Sequence, residues 1–252
     1  MNATLNYCGT LNSGAPAVLF IPGSLTSPAV FEGIGEVLPC QSAVIDWMKS
    51  DGPWELDIIG ERVLELIVQL GLGPVILCGY SSGGVIALSA ALRDEEGRIN
   101  GLMISNTGAN TKGHSDPNLP NQIRDHWPEE DVIRKFISRC FVKECPEELF
   151  QRLLAYASGI KKEAALACTL SSRTLDLEPD LQRVKCPVLI AHGKDDLVRR
   201  ECHVEVLRNN LPDVEVRYLD GGHTIMVEDR EHYTKALLYF MEKTLGITHQ
   251  QT

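Results

Sequence analysis

Short apolar runs recur along the chain and predict the strands of a buried sheet. They lie near residues 3–8, 17–22, 42–47, 74–80, 99–105, 187–192 and 214–219. Apolar runs of strand length, bounded by glycine, proline or polar residues, are typical of strands covered on both faces. Because helical patterns separate several of these runs, we expect an α/β fold with a mostly parallel central sheet flanked by helices.

Apolar positions three and four residues apart predict helices that pack on this sheet. One stripe, which stops at Gly71, consists of Leu56, Ile59, Val63, Leu66, Ile67 and Leu70. The last stripe before the C-terminus consists of Tyr233, Leu237, Phe240 and Met241. A period of 3.6 residues places such positions on one face of a helix, so each stripe is expected to face the core.

The alternation of strands and helices is interrupted between residues 108 and 182. Residues 108–128 are polar and contain prolines, which predicts a loop. Helical patterns follow at residues 133–141, 149–154 and 164–175. We therefore predict a core made of residues 1–107 and 183–252, with a small helical insertion at residues 108–182.

The composition fits one α/β domain and narrows the classes of partner. The chain has 252 residues, of which 44% are hydrophobic and 23% are charged, and its formal net charge is −10. An excess of negative charge disfavours binding to nucleic acid or to an anionic membrane surface. No apolar run approaches the roughly 18 residues of a membrane span, and the N-terminus has no signal-peptide pattern.

Eight cysteines are scattered along the chain, several of them inside apolar runs. This distribution favours buried free thiols over a disulfide framework, so we expect a cytoplasmic protein. Cys140 and Cys145 have no clustered histidine beside them, so we expect no metal site. The oligomeric state is left open.

The stretch from Gly79 to Gly84 places Ser81 between two glycines. It reads Gly-Tyr-Ser-Ser-Gly-Gly and joins a strand-like run at residues 74–78 to a helix-like run at residues 85–92. A serine on a sharp strand-to-helix turn presents its hydroxyl group above the sheet, and the glycines allow close backbone approach. The stretch lacks the Lys-Ser/Thr ending of a P-loop and the glycine spacing of a dinucleotide-binding turn. Ser81 is therefore a candidate nucleophile.

Acidic residues and a histidine follow Ser81, each just after a predicted strand. Gly193 is followed by Asp195 and Asp196, and a Gly-Gly pair precedes His223. A neutral imidazole takes the proton of an attacking serine and later returns one to the leaving group, while a carboxylate behind it fixes the tautomer. The order serine, acid, histidine therefore suits nucleophilic catalysis, with either aspartate as the acid.

These motifs resemble those of the α/β-hydrolase superfamily, in the serine-hydrolase branch of esterases and lactonases with an inserted helical cap. The family uses the chain order nucleophile, acid, histidine. Its acid commonly sits three residues after a strand-ending glycine, which implies Asp196 rather than Asp195, and its histidine commonly follows one or two glycines, which implies His223. The resemblance also implies an α/β-hydrolase fold in which residues 108–182 form a cap over the serine.

The resemblance further implies an oxyanion hole made of backbone N–H groups. Pro22, Gly23 and Ser24 follow the apolar run at residues 17–21, where the family usually has a His-Gly pair. The implied donors are the N–H groups of Ser24 and of Ser82, the residue after the nucleophile. Pro22 departs from the family's usual histidine, and the loop after the next strand lacks the frequent Gly-x-Gly-x-Ser pattern.

Several polar side chains are candidates for the substrate pocket. Ser105 and Asn106 end the run beside the nucleophile strand, where ligands sit in open α/β sheets. The candidates inside the insertion are His114, His126, Trp127 and Arg173. For His126, Trp127 and Arg173 a solvated or structural role is the competing interpretation.

The resemblance implies cofactor-independent hydrolysis of a small ester, lactone or related acyl compound through an acyl-enzyme. Ser81 is the expected nucleophile, His223 the base and then the acid, and Asp196 the residue that orients His223. Two alternatives stay open. One is another reaction of the same triad, namely C–C bond cleavage, acyl transfer or perhydrolysis. The other is a receptor of this fold that binds its ligand and turns it over slowly.

Overall fold

A seven-stranded sheet forms the centre of the computed structural model, which describes residues 5–112 and 116–247. The strands are β1 (Tyr7–Cys8), β2 (Ala17–Ile21), β3 (Gln41–Ile45), β4 (Val75–Tyr80), β5 (Ile99–Ser105), β6 (Val188–Gly193) and β7 (Val214–Leu219). Their order is β1-β3-β2-β4-β5-β6-β7, with β1 antiparallel to β3 and all other neighbours parallel. The predicted α/β fold with a mostly parallel sheet is confirmed.

Helices flank the sheet and fill the interval between β5 and β6. In chain order they are α1 (Leu56–Gln69), α2 (Ser82–Arg93), α3 (Leu119–His126), α4 (Glu130–Arg139), α5 (Glu147–Ser158), α6 (Lys162–Thr174), α7 (Glu201–Asn210), α8 (Ile225–Glu228) and α9 (Arg230–Leu245). Helices α3 to α6 belong to the insertion. Helices α1, α2 and α7 each lie between two strands in chain order, as the crossovers of a parallel sheet require, and α8 and α9 follow β7.

The apolar patterns of the sequence correspond to buried faces. Every residue of β2, β4 and β6 is buried, which explains why these strands are continuous apolar runs rather than alternating ones. The buried residues of the α1 stripe are Leu56, Ile59, Val63, Leu66 and Ile67. The predicted stripe of α9 is buried as well. Each fully buried large aliphatic side chain contributes roughly 1.5–3 kcal/mol to stability relative to its exposed state.

The first part of the insertion differs from the prediction. Residues 108–128 were expected to form a loop, but α3 occupies Leu119–His126 within them. Pro120 lies in the first turn of α3, where a missing N–H costs no helical hydrogen bond, so this proline begins a helix rather than excluding one. Leu119 and Ile123 are the buried apolar contacts of this otherwise polar helix.

Glu228 connects the insertion to the turn that follows β7. Its Oε1 atom accepts hydrogen bonds from the backbone N–H groups of Val142 at 2.9 Å and Lys143 at 2.7 Å. Its Oε2 atom accepts a hydrogen bond from the N–H of Gly222 at 2.9 Å. One carboxylate thereby holds the loop between α4 and α5 against the residue that precedes His223.

The described part of the chain contains no helix that is long and apolar enough to cross a membrane. All eight cysteines are free thiols. Within residues 5–112 and 116–247, no group of three or more His, Cys, Asp or Glu side chains is placed to hold a metal ion.

Candidate active site

Ser81 lies at the turn where β4 passes into α2. Its backbone has φ 54° and ψ −118°, a conformation that residues with a side chain rarely adopt. Its N–H donates to the carbonyl oxygen of Ser105 at 2.9 Å, which helps to hold this conformation. The flanking glycines are required by close packing. A Cβ atom at Gly83 would lie 1.9 Å from the carbonyl oxygen of Ile21, and one at Gly79 would lie 2.4 Å from that of Gly83.

Ser81, His223 and Asp196 form a continuous chain of hydrogen bonds. The Ser81 hydroxyl oxygen lies 3.0 Å from Nε2 of His223, and Nδ1 of His223 lies 2.9 Å from Oδ2 of Asp196. The three residues follow β4, β7 and β6, whose carboxyl ends meet at one edge of the parallel sheet. With its proton on Nδ1, the ring donates to the carboxylate and its Nε2 accepts from serine. This arrangement is able to activate the hydroxyl group as a nucleophile.

Hydrogen-bond donors surround the carboxylate of Asp196. Its Oδ1 atom accepts from the backbone N–H groups of Val198 at 2.7 Å and Arg199 at 2.9 Å. Its Oδ2 atom accepts from the amide of Asn106 at 2.8 Å as well as from His223. Burial alone would raise the pKa of this carboxyl, but the charge of His223 and these hydrogen bonds lower the pKa to about 2. Asp196 is therefore ionised at neutral pH.

The neighbouring Asp195 has a different environment. Its side chain is exposed to solvent, and its backbone N–H donates to the carbonyl oxygen of Gly221 at 3.0 Å. Of the two aspartates, the structure places Asp196 against His223.

Tyr80 and Thr224 support the ring of His223. The Tyr80 ring lies 5.2 Å from the His223 ring, centroid to centroid. The hydroxyl oxygens of Tyr80 and Thr224 are 3.1 Å apart, and the Thr224 hydroxyl donates to the carbonyl oxygen of Cys140 at 3.0 Å. The imidazole is thus held between the end of β4 and the end of α4.

Ser105 and Asn106, which the sequence suggested for the pocket, lie away from the cavity, and Asn106 contacts the carboxylate of Asp196. Both side chains are fully buried, and neither lines the cavity in front of Ser81. Asn106 has φ 49° and donates to the carbonyl oxygen of Gly222 at 3.0 Å in addition to Asp196. Because β5 pairs with β6, the residue that follows β5 lies beside the turn of the acid.

The candidates inside the insertion have separate surroundings. Arg173 lines the cavity. Trp127 is buried and its indole N–H donates to the carbonyl oxygen of Ile160 at 3.0 Å, so it packs the insertion and does not line the cavity. His126 is exposed, and its Nδ1 lies 3.1 Å from the Glu129 carboxylate. His114 lies outside the described residues.

The turn after β2 brings Ser24 beside Ser82. The Ser24 hydroxyl donates to that of Ser82 at 2.8 Å, and both residues line the cavity. Ser82 is the first residue of α2, so its N–H has no acceptor within the helix and lies at the positive end of the helix dipole. The carbonyl of Pro22 accepts a hydrogen bond from the Trp47 indole at 2.9 Å, which fixes the turn without the family's usual histidine.

A cavity opens in front of Ser81 and His223. The other lining residues from the core are Ser24, Thr26, Tyr80, Ser82, Val198 and Arg199. Those from the insertion are Leu119, Phe136, Arg139, Cys140, Thr169, Ser172 and Arg173. Burial raises the pKa of the Cys140 thiol to about 12, so this lining residue is a poor nucleophile.

Two lining residues that the sequence analysis missed are Arg139 and Arg199. Arg199 follows Asp196 by three residues, and this short spacing after the candidate acid is the signal that could have identified it. Arg139 is the last residue of α4, and its direction depends on how the insertion packs, which periodicity does not report.

The chain matches one protein family over most of its length. The model of the alpha/beta hydrolase family matches residues 18–234. The AB hydrolase superfamily protein YisY of Bacillus subtilis is 26% identical over 207 residues, which is 76% of each chain. The 3-oxoadipate enol-lactonase 2 of Acinetobacter baylyi is 24% identical over 198 residues, or 76% of this chain and 73% of the relative. An esterase structure from Exiguobacterium antarcticum superposes with a TM-score of 0.82 at 24% identity over 94% of both chains.

Proposed function

Because the chain belongs to the alpha/beta hydrolase family, we propose that it is a serine hydrolase that cleaves small esters, lactones or related acyl compounds. The observation that carries this proposal is the hydrogen-bonded chain from Ser81 through His223 to Asp196 at the base of the cavity. The similarity to a 3-oxoadipate enol-lactonase and to an esterase supports the substrate range.

In the first half of the reaction, the Ser81 oxygen attacks the carbonyl carbon of the substrate while Nε2 of His223 takes the hydroxyl proton. The ionised Asp196 stabilises the resulting imidazolium and keeps the ring in the productive tautomer. The N–H groups of Ser24 and Ser82 hold the oxyanion of the tetrahedral intermediate. His223 then gives its proton to the leaving oxygen, which departs and leaves an acyl group on Ser81.

In the second half, water replaces the leaving group. His223 takes a proton from the water as its oxygen attacks the acyl carbon, and the same N–H groups hold the second oxyanion. Collapse of this intermediate breaks the bond to Ser81, and His223 returns the proton to the serine oxygen. The free acid leaves and the starting state is restored.

In this proposal the insertion covers the cavity in front of Ser81. We propose residues 108–182 as a cap, with residues 1–107 and 183–252 as the catalytic core. Seven lining residues come from the insertion, including the apolar Leu119 and Phe136, so the cap selects which acyl groups fit.

A serine-reactive fluorophosphonate probe and a panel of small esters and lactones test the nucleophile. The wild-type protein is expected to be labelled at Ser81, and Ser81→Ala should lose the label and about 10³- to 10⁶-fold in turnover. Ser82→Ala is the matched control, because it removes a neighbouring hydroxyl but keeps the backbone N–H, and it should retain turnover within about tenfold. Near-wild-type hydrolysis by a folded Ser81→Ala protein would falsify the assignment.

The products separate hydrolysis from the alternatives. Stoichiometric release of free acid and alcohol supports hydrolysis. Transfer of the acyl group to an added alcohol, or peracid formation with hydrogen peroxide, at higher rates than hydrolysis would point to another reaction of the same residues. A protein that is labelled but releases no product from any panel member would behave as a slow-turnover receptor.

A further inference from the structure

We propose that the substrate carries a carboxylate, which Arg139, Arg173 and Arg199 bind beside Ser81. The inference deepens the proposed function and rests on it, because the anion site and the nucleophile share one cavity. It names a feature of the substrate that neither the fold nor the nucleophile specifies.

Three arginines line the cavity, and one of them, Arg139, is paired with a carboxylate, that of Asp116. Arg139, Arg173 and Arg199 all line it, and among its described lining residues there is no aspartate or glutamate. The carboxylate of Asp196 belongs to His223, and that of Asp116 accepts a hydrogen bond from Arg139. A low-dielectric cavity with clustered positive charge attracts an anion from solution.

Each of the three guanidinium groups has a buried N–H donor without an acceptor among the described residues. The three donors are the Nε–H groups of Arg139, Arg173 and Arg199. Arg199 is only 3% exposed, and its Nη1 donates to the carbonyl oxygen of Asn110 at 2.6 Å. Buried donors are nearly always paired in proteins, so three unpaired ones on residues that line a single cavity indicate a missing acceptor.

The neighbouring cations also act on one another. Burial, followed by the charge of Arg173, lowers the pKa of Arg199 to about 10. Burial lowers the pKa of Arg173 as well, the negative charge of Asp116 opposes this shift, and the charge of Arg139 adds to it. A guanidinium group carries a positive charge in proteins, so a bound anion relieves the mutual repulsion of these neighbouring cations.

A carboxylate suits these donors better than a neutral polar group. Its two oxygens offer about four acceptor sites, enough for three N–H donors. Hydrogen bonds between a guanidinium and a carboxylate are charge-assisted and roughly twice as strong as neutral ones. The inferred substrate is therefore the ester or lactone of a small acid that has a second, free carboxylate.

The test uses a matched pair of substrates, the phenyl half-ester of glutaric acid and its methyl phenyl diester. The wild-type protein should favour the half-ester by about 10- to 100-fold in kcat/KM. Arg173→Gln and Arg139→Gln should each reduce this preference at least severalfold, and Arg173→Lys should keep part of it. Arg134→Gln is the control. Arg134 lies on α4, as Arg139 does, but it is paired with Glu130 at 2.6 Å, so this variant should keep the full preference.

A binding measurement keeps this inference separate from the proposed function. Titration calorimetry with glutarate and Ser81→Ala should show saturable binding, which Arg173→Gln in the same background abolishes. The anion site is overturned if the protein hydrolyses the diester without preference for the half-ester and does not bind glutarate. The proposed hydrolase function is unaffected by that result. Glutarate binding without turnover of any ester supports the anion site and contradicts the proposed hydrolase function. Tighter binding of inorganic phosphate than of glutarate overturns the carboxylate assignment.

Discussion

At the scale of single residues, two adjacent aspartates in the turn after β6 have different surroundings. Asp195 is exposed, whereas the next carboxylate along the chain is buried against His223 and receives the backbone N–H groups of Val198 and Arg199. These N–H groups act only on the residue whose side chain points into the turn. The environment of a carboxylate in this turn therefore depends on its exact position in the chain as much as on the residue type.

Exchange of each aspartate for asparagine measures this difference. Asp196→Asn should lower kcat/KM by about 10³- to 10⁴-fold, because the amide no longer supports the tautomer in which His223 accepts the serine proton. Asp195→Asn should change it by less than about tenfold, since this side chain is exposed. Initial rates on one ester are compared for both variants. The reverse ranking would move the role of the acid to Asp195.

At the scale of elements, the junction of β4 and α2 is fixed by contact with β2. Gly83 sits under the carbonyl oxygen of Ile21 so closely that a single Cβ atom would force the helix away from the strand. The positive φ of Ser81 is maintained because strand and helix are both anchored. The glycines thus serve the packing of the elements, and the position of Ser81 at the turn results from that packing.

Gly83→Ala is expected to destabilise the fold by about 3 kcal/mol or more and to remove activity, because the new methyl group overlaps a backbone oxygen. Gly159→Ala is the matched control. Its Cβ would meet its nearest neighbour at 3.5 Å, so its effect should stay below about 1 kcal/mol. Urea unfolding of both variants checks the ranking. Equal stability of the two would show that the junction relaxes more easily than its geometry indicates.

Elements with a strong pattern could be predicted from the sequence, and those defined by packing could not. The strands were visible because burial on both faces makes them continuous apolar runs. Helix α3 was missed because its polar composition and Pro120 resemble a loop, and its two apolar contacts depend on the rest of the insertion. Ser81, Asp196 and His223 could be selected as candidates because each follows a strand within four residues. The placement of Arg139 depends on how the helices of the insertion pack, so local sequence did not reveal it.

At the scale of the whole molecule, the buried pair of Asp196 and His223 couples stability to pH. The pKa of Asp196 falls from an ordinary value of 3.8 to about 2 in the folded chain. A carboxyl with a lowered pKa stabilises the folded state above its unfolded pKa, and this contribution is lost as the pH falls through the folded value. The shift corresponds to roughly 2 kcal/mol, present above about pH 4 and lost towards pH 2.

Urea unfolding of wild type and Asp196→Asn at several pH values between 6 and 2 tests this coupling. The difference in the free energy of unfolding between the two proteins should shrink by about 2 kcal/mol as the pH falls from 4 to 2. Asp195→Asn, which changes an exposed carboxylate, provides the comparison. A difference that stays constant over this range would mean that Asp196 does not gain its charge stabilisation from the fold.

Glu228 links the insertion to the turn that carries His223. The same carboxylate holds the loop after α4 and the glycine before His223. A roof that lifted far enough to admit a bulky ligand would release this carboxylate from one side and loosen the turn of the imidazole. In the proposed mechanism, any opening of the insertion would therefore be coupled through this one carboxylate to the turn that positions His223.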